Sequence, residues 1–196
     1  MTVTYCSQVQ GEGDLISRVR TLRQYLPTLM DKGGKVLIFA NTIAGVGAAA
    51  DALSTGVGSM PGMEVSRITS KLSPTDRARV LQDFKSGKTR VVVTTDVLAR
   101  GVDVKGIKVV VNLEIPKKRS SSEPCPTTFQ HRCGRTARAG AAGTVVTITN
   151  SEADTHALDQ FLNQEHFRYT LVDLMDDPDQ AGEQIEGALM DRDASA

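Results

Sequence analysis

Short continuous apolar runs alternate along this chain with longer stretches in which apolar residues recur every three or four positions. Val-Leu-Ile-Phe at 36–39 and the valine triplets at 91–93 and 109–111 lack the in-out alternation of a half-exposed strand. They suit strands buried on both faces, as in a parallel sheet. Strands are predicted over 3–9, 35–40, 64–69, 90–95, 108–113, 144–149 and 168–172. Leu15, Val19, Leu22, Leu26 and Leu29 are helically spaced. They predict a helix over 14–29, capped by Asp14, that Pro27 kinks or ends early. Further helices are predicted over 43–53, from a Ser73 cap to 85, from Thr127 or Thr128 as N-cap, and over 151–162. A last one is predicted over 178–190, where Asp177-Pro178-Asp179-Gln180 offers a cap, a first-turn proline and a capping-box glutamine.

Strands alternating with helices at this spacing predict an α/β layered domain, with a mainly parallel central sheet flanked by helices. Ligands of such sheets sit at the carboxyl ends of the strands. Asn41-Thr42, Thr95-Asp96 and the helix of His131 are expected to meet there. No repeat or linker is visible. Residues 1–196 read as one domain, with 174–196 as a closing acidic helix and tail.

Composition narrows the function classes. The 23 basic and 23 acidic residues balance overall. Residues 176–196 hold seven acids and one base, which leaves 22 bases, 16 acids and a net charge of +6 in residues 1–175. That body is compatible with nucleic acid without demanding it. The three cysteines have no paired spacing. Neither a disulfide framework nor a metal site is expected, and a reducing compartment, cytosol or nucleus, is. No stretch approaches the roughly 18 apolar residues of a membrane span, so no membrane association is expected. Tryptophan is absent, so base stacking on exposed aromatics is not an obvious mode.

Two stretches carry chemistry. The first is His131-Arg132-Cys133-Gly134-Arg135-Thr136-Ala137-Arg138-Ala139-Gly140. On a helix His131 and Arg135 share a face, and Arg138 lies one turn along or in the loop leaving it. Planar, always-charged guanidinium groups bind phosphate oxygens in bidentate fashion, so the pattern suggests polyphosphate recognition. The competing reading is a solvated basic face. Gly134 weighs against that, because glycine inside a short helix costs about 1 kcal/mol relative to alanine. The second stretch is 94–104, Thr-Thr-Asp-Val-Leu-Ala-Arg-Gly-Val-Asp-Val. Asp103 can accept hydrogen bonds from sugar hydroxyls. Thr95 can donate to a phosphate oxygen, and Gly101 permits an unusual backbone. The competing reading is a strand-end turn with a surface ion pair from Arg100.

The first stretch, His-Arg-x-Gly-Arg-x-x-Arg-x-Gly, resembles the final signature motif of the DEAD-box RNA helicases. A chance match at these six positions is on the order of one in 10^5 or rarer. Ala137 departs from the family's usual glycine. The second stretch resembles the motif in the middle of the family's second core domain, and Ile38-Phe39-Ala40-Asn41-Thr42 resembles that domain's first motif. The resemblance implies a three-layer RecA-like fold. It implies that Asp103 and Gly101 meet ATP, and that Arg135 and Arg138 reach its γ-phosphate as catalytic arginine fingers. Thr95, Asn41, Thr42, Arg77 and Arg100 would face RNA, and His131 and Arg132 would face the other domain. From sequence, Arg77 reads equally as a plain helix-surface arginine. Ser70 stands where the family often has glycine.

The chain contains neither a G-x-x-x-x-G-K-[ST] loop nor an Asp-Glu-Ala-Asp box. In the family both belong to the first domain, which binds most of ATP and Mg2+. The expectation is therefore the helicase C-terminal half of a two-domain ATP-dependent RNA helicase, with no activity by itself. Its expected partners are RNA, held by sugar-phosphate contacts, the first helicase domain and protein regulators. A polar insert at 117–126 and the acidic tail are similar to the subgroup acting in mRNA export at the nuclear pore. The alternative is a non-catalytic RNA- or protein-binding module.

Overall fold

The computed structural model describes residues 2–7, 15–30, 34–55, 64–96, 104–118, 120–121, 123–136, 143–149, 151–164 and 169–173, with the backbone alone for 2–7, 164 and 169–173. Their order is β1 (Thr2–Ser7), α1 (Leu15–Leu29), β2 (Lys35–Phe39), α2 (Ile43–Ser54), β3 (Val65–Ile68), α3 (Pro74–Ser86), β4 (Val91–Thr94), β5 (Ile107–Asn112), α4 (Pro126–Cys133), β6 (Thr144–Thr149), α5 (Glu152–Gln164) and β7 (Tyr169–Asp173). The strands form one seven-stranded sheet in the order β3-β4-β2-β5-β6-β1-β7. Every neighbouring pair is parallel. The expected sheet was mainly parallel; the described one is wholly so.

The continuous apolar runs are explained by helices on both faces. Alternate residues of one strand enter different cores. Val36, Ile38, Val91, Val93, Val109 and Val111 pack with Val19, Leu22 and Leu26 of α1 and Val46 and Leu53 of α2. Leu37, Phe39, Val92, Val110 and Val145 pack on the opposite face with Phe84 of α3, Phe129 of α4, and Leu158 and Phe161 of α5. Phe129 and Phe161 meet edge to face at 5.1 Å between ring centroids.

Local chemistry sets most boundaries. Ser73 caps α3 reciprocally: its Oγ accepts from the Asp76 N–H at 3.0 Å and donates to Asp76 Oδ2 at 2.7 Å. Gly87, with φ of 84°, closes that helix in the left-handed region glycine tolerates best. Gly45 lets α2 begin close to α1, since an added Cβ would lie 3.1 Å from Leu15 Cδ2 and 3.0 Å from the capping Thr42 Oγ1. Pro27 does not stop α1, which runs on to Leu29. It lies in the last turn, where the Met30 N–H still reaches the Leu26 carbonyl at 3.0 Å.

Helix α4 departs from expectation. It begins at Pro126, with Cys125 as N-cap, rather than after Thr127 or Thr128. Proline's fixed φ suits the first helical position and its missing N–H is not needed there. Gly134 is not inside the helix but at its C-cap, so the cost of a mid-helix glycine does not arise. The predicted helix over 178–190 and the rest of 174–196 lie outside the described residues. Among the described residues no helix is long and apolar enough to cross a membrane.

Leu53, fully buried, should cost about 2–5 kcal/mol when replaced by alanine. The exposed Ser73→Ala cap deletion should cost only about 1 kcal/mol. Urea unfolding of the two variants should reproduce that order, and a reversal would contradict the placement of the core.

Candidate functional site at the carboxyl edge of the sheet

The chain leaves β2 toward β3 on one side of the sheet and leaves β5 toward β6 on the other. The switch point of the fold therefore lies between β2 and β5, where doubly wound sheets open a crevice at their carboxyl ends. Three adjacent strands deliver polar groups there: Asn41 and Thr42 after β2, Thr95 and Asp96 after β4, and Asn112 and Glu114 at the end of β5.

Arg132 of α4 gathers these groups. It is 0% exposed. Its Nε donates to Asp96 Oδ1 at 2.6 Å and its Nη2 to Asp96 Oδ2 at 3.2 Å. Nη2 also donates to Asn41 Oδ1 at 2.8 Å. Nη1 donates to the Glu114 carbonyl at 3.0 Å and to Asn112 Oδ1 at 3.3 Å. These five bonds match the five N–H donors of a guanidinium. The group also lies over the Phe39 ring, 5.1 Å from its centroid. The acceptors are themselves fixed. Asn41 Nδ2 donates to the Ile115 carbonyl and the Asn41 backbone N–H to Glu114 Oε2, both at 2.9 Å. Asn112 Nδ2 donates to Thr147 Oγ1 at 3.1 Å, carrying the network into β6.

This corrects the expectation that Arg132 faces another domain. A fully buried guanidinium bonded to its own lobe on every side has nothing left to offer across an interface. The amide of Asn41 is likewise engaged within the lobe at both ends.

The other anticipated residues are distributed as follows. Thr42 is exposed and caps α2, its Oγ1 accepting from the Gly45 N–H at 2.9 Å. Thr95 is 8% exposed. Arg77 is half-buried and folds back on its own lead-in loop, with Nη2 3.4 Å from the Thr69 carbonyl and 3.5 Å from that of Leu72. His131 is exposed. Arg135 lies past the end of α4, not on its face, yet it adjoins His131 by donating from Nε to that residue's carbonyl at 3.2 Å. Arg100, Gly101, Asp103 and Arg138 lie outside the described residues.

The arginine stretch does not stay at the carboxyl edge. Thr136 donates from Oγ1 to the carbonyls of Ile107 at 2.8 Å and Lys108 at 3.1 Å, the first residues of β5. Val104, which follows Asp103 in sequence, shares a buried cluster with Phe129 and Cys133 of α4. Helix α4 thus runs from the carboxyl end of β5 toward its start, back to the residues that follow Asp103.

Sequence reasoning missed three participants. Asn112 is a polar residue in a valine strand. Glu114 gave no signal. Arg18 sits at an apolar spacing in α1, four residues before Leu22. It is 8% exposed. It donates to the Leu113 carbonyl at 2.8 Å and pairs with Asp154 at 3.6 Å. Burial pulls its guanidinium below its ordinary value, and Asp154 and Glu114 oppose that.

Removing a member of a buried ion pair costs about 3–5 kcal/mol. Asp96 keeps 41% of its side chain in solvent, so Arg132→Met should fall near the lower end, about 3 kcal/mol, by urea unfolding. A loss below 1 kcal/mol would contradict the network. The thiols of α4 should also separate. Burial pushes the Cys133 thiol up to about 12, whereas the hydroxyl of Thr128 holds the half-buried Cys125 below its ordinary value. Because the thiolate is the reactive form, iodoacetamide at neutral pH should label Cys125 first and reach Cys133 only on unfolding. Equal native-state rates would refute this.

Residues 17–140 match the helicase conserved C-terminal domain family, a span that includes both chemical stretches. The chain is 39% identical over 130 residues to the ATP-dependent RNA helicase dbp5 of Botryotinia fuckeliana, covering 65% of this chain and 27% of that protein. In structure it is similar to S. cerevisiae Dbp5 bound to RNA and ADP BeF3, with a TM-score of 0.79 and 26% identity over 96% of this chain and 45% of that one. It is also similar to the C-terminal domain of the DEAD-box protein Dbp5, with a TM-score of 0.78 and 26% identity over 95% of this chain and 97% of that one. The chain therefore spans about a quarter of the curated relative, and it belongs to the helicase conserved C-terminal domain family in its DEAD-box form.

Proposed function

We propose that this chain is the second core lobe of an ATP-dependent RNA helicase, completing a nucleotide site whose floor lies on another lobe and carrying half of an RNA backbone path. One observation supports this above the others. The family match spans both chemical stretches, and the Thr136 hydroxyl ties the first, arginine-bearing stretch to the start of β5, shortly after Asp103 of the second.

In this reading bound ATP supplies the phosphoryl group that is transferred. Arg135 and Arg138 stabilise the charge that develops on it, Asp103 accepts from the ribose hydroxyls, and Gly101 lets the backbone come close. The exposed His131 faces the other lobe. Among the described residues no group of three His, Cys, Asp or Glu side chains could hold a metal ion. It is the family resemblance that assigns Mg2+ mainly to the other lobe.

RNA is assigned to the carboxyl edge. Thr42 caps α2 as an acceptor and keeps its hydroxyl proton to donate to a phosphate oxygen. Thr95, Arg77, Arg100 and the backbone at Asn41 complete that face. Such contacts read sugar and phosphate, so sequence preference is slight. Protein regulators acting on this lobe, and residence in cytoplasm or nucleus, including the nuclear pore, complete the reading.

Arginine fingers contribute roughly 10^3–10^5 in rate to related phosphoryl transfers. In the full-length protein Arg138→Ala should therefore lower RNA-stimulated ATP hydrolysis by about 10^3 or more while ATP binding changes little. This chain alone should not hydrolyse ATP with or without RNA. Hydrolysis surviving in the variant would remove the finger assignment. A full-length wild type without any hydrolysis would favour a non-catalytic RNA- or protein-binding module.

A further inference from the structure

Burying a guanidinium is an inefficient way to stabilise a fold. Desolvation offsets most of the Coulomb gain, and replacing both partners of a buried pair by well-packed apolar side chains is often neutral or stabilising. Arg132 is nonetheless 0% exposed, with Asp96, Asn41, Asn112 and Glu114 as its acceptors. Those acceptors lie at the ends of β4, β2 and β5, three consecutive strands of the sheet. A planar fork with fixed donor directions holds these ends in one mutual position. An apolar plug would fill the space without fixing direction, because the hydrophobic effect is non-directional.

The fork is also attached to something. It stands on α4 between His131 and the Arg135 turn. That turn is held at Arg135 Nε by the His131 carbonyl and at Thr136 Oγ1 by the carbonyls of Ile107 and Lys108. A continuous path of directional bonds therefore runs from the strand ends to the arginine turn. Asp96 is where this path meets solvent: its side chain is 41% exposed and Arg132's is 0%.

This inference rests on the reading above, in which Thr42 and Thr95 meet RNA and Arg135 meets the nucleotide. We propose that Arg132 is a positioning residue that couples the two faces, keeping the RNA-bearing strand ends and the nucleotide-facing turn in register. It touches neither ligand. With the fork loosened, RNA and ATP still bind, but RNA no longer brings the arginine turn to its working position. A misplacement of about 1 Å far from the chemistry can cost on the order of 10^2 in rate, so the effect belongs in turnover, not in affinity.

The test is steady-state ATP hydrolysis by the full-length protein, with and without saturating single-stranded poly(U). RNA affinity is followed by fluorescence anisotropy and folding by far-UV circular dichroism. Arg132→Lys keeps the charge and loses the fork. Asp96→Asn weakens the same clasp from its solvent-facing side. In both variants the ratio of RNA-stimulated to unstimulated turnover should fall, by tenfold or more in Arg132→Lys. RNA affinity and KM for ATP should stay within about threefold of wild type. A merely structural role would shrink the active fraction and lower both rates together, leaving the ratio unchanged. An unchanged ratio in the folded variants overturns the coupling role and leaves the helicase reading standing. If Arg132→Lys does not fold, the ratio in Asp96→Asn decides alone. A wild type without RNA-stimulated hydrolysis overturns the reading itself, and the coupling role with it.

Discussion

One buried guanidinium joins the carboxyl ends of three neighbouring strands, β4, β2 and β5. Parallel strands deliver their ends to the same side of a sheet, and the ends of β4, β2 and β5 here each carry an acceptor for Arg132, Asp96 alone keeping 41% of its side chain in solvent. Asn41 Oδ1, Asn112 Oδ1 and the Glu114 carbonyl would each cost about 1–3 kcal/mol if left unpaired. Arg132 answers all three and the Asp96 carboxylate from a single plane. Lysine, a point charge with three donors, could not. The network is closed in both senses: the acceptors justify the charge, and the charge justifies the acceptors.

The rest of the lobe is arranged so that this edge can exist. Helices on both faces bury β2, β4 and β6 along nearly their whole length, which leaves the strand ends as the place where polar groups gather. Helix α4 is short, and it spans from that edge toward the start of β5. In doing so it joins two regions that a reading of strand ends alone would merge. One holds Thr42, Thr95 and the Arg132 network; the other holds Arg135 and Thr136 beside the first residues of β5.

Much of this was legible in the residues. The pattern of the chain gave every described strand to within a few positions; for β2, β4 and β6 the reason is that a strand buried on both faces admits little but apolar residues and threonine. Ser73 announced its helix through capping chemistry that depends only on near neighbours. Helix α4 was misjudged by a residue or two. Pro126 at its first position competed with two threonines for the role of start signal, and both patterns are locally sound. Gly134 was misread for the same reason, since a glycine within a helix and one that ends it look alike until the end is known. Among the proposed site residues, the sequence gave types and spacing, while Arg100, Gly101, Asp103 and Arg138 lie outside the described structure.

The sequence by itself determined the alternating architecture, the two chemical stretches and the family they resemble, because those depend on local periodicity and on residue type. Only the tertiary structure decided which arginine of the stretch turns inward. Arg132 and Arg135 are three residues apart on a polar run, and nothing within that run distinguishes them. What distinguishes them is the set of acceptors opposite, contributed by residues 18, 20, 36 and 91 positions away from Arg132 in sequence. A side chain is buried or exposed by what distant strands place against it, and that information is not local.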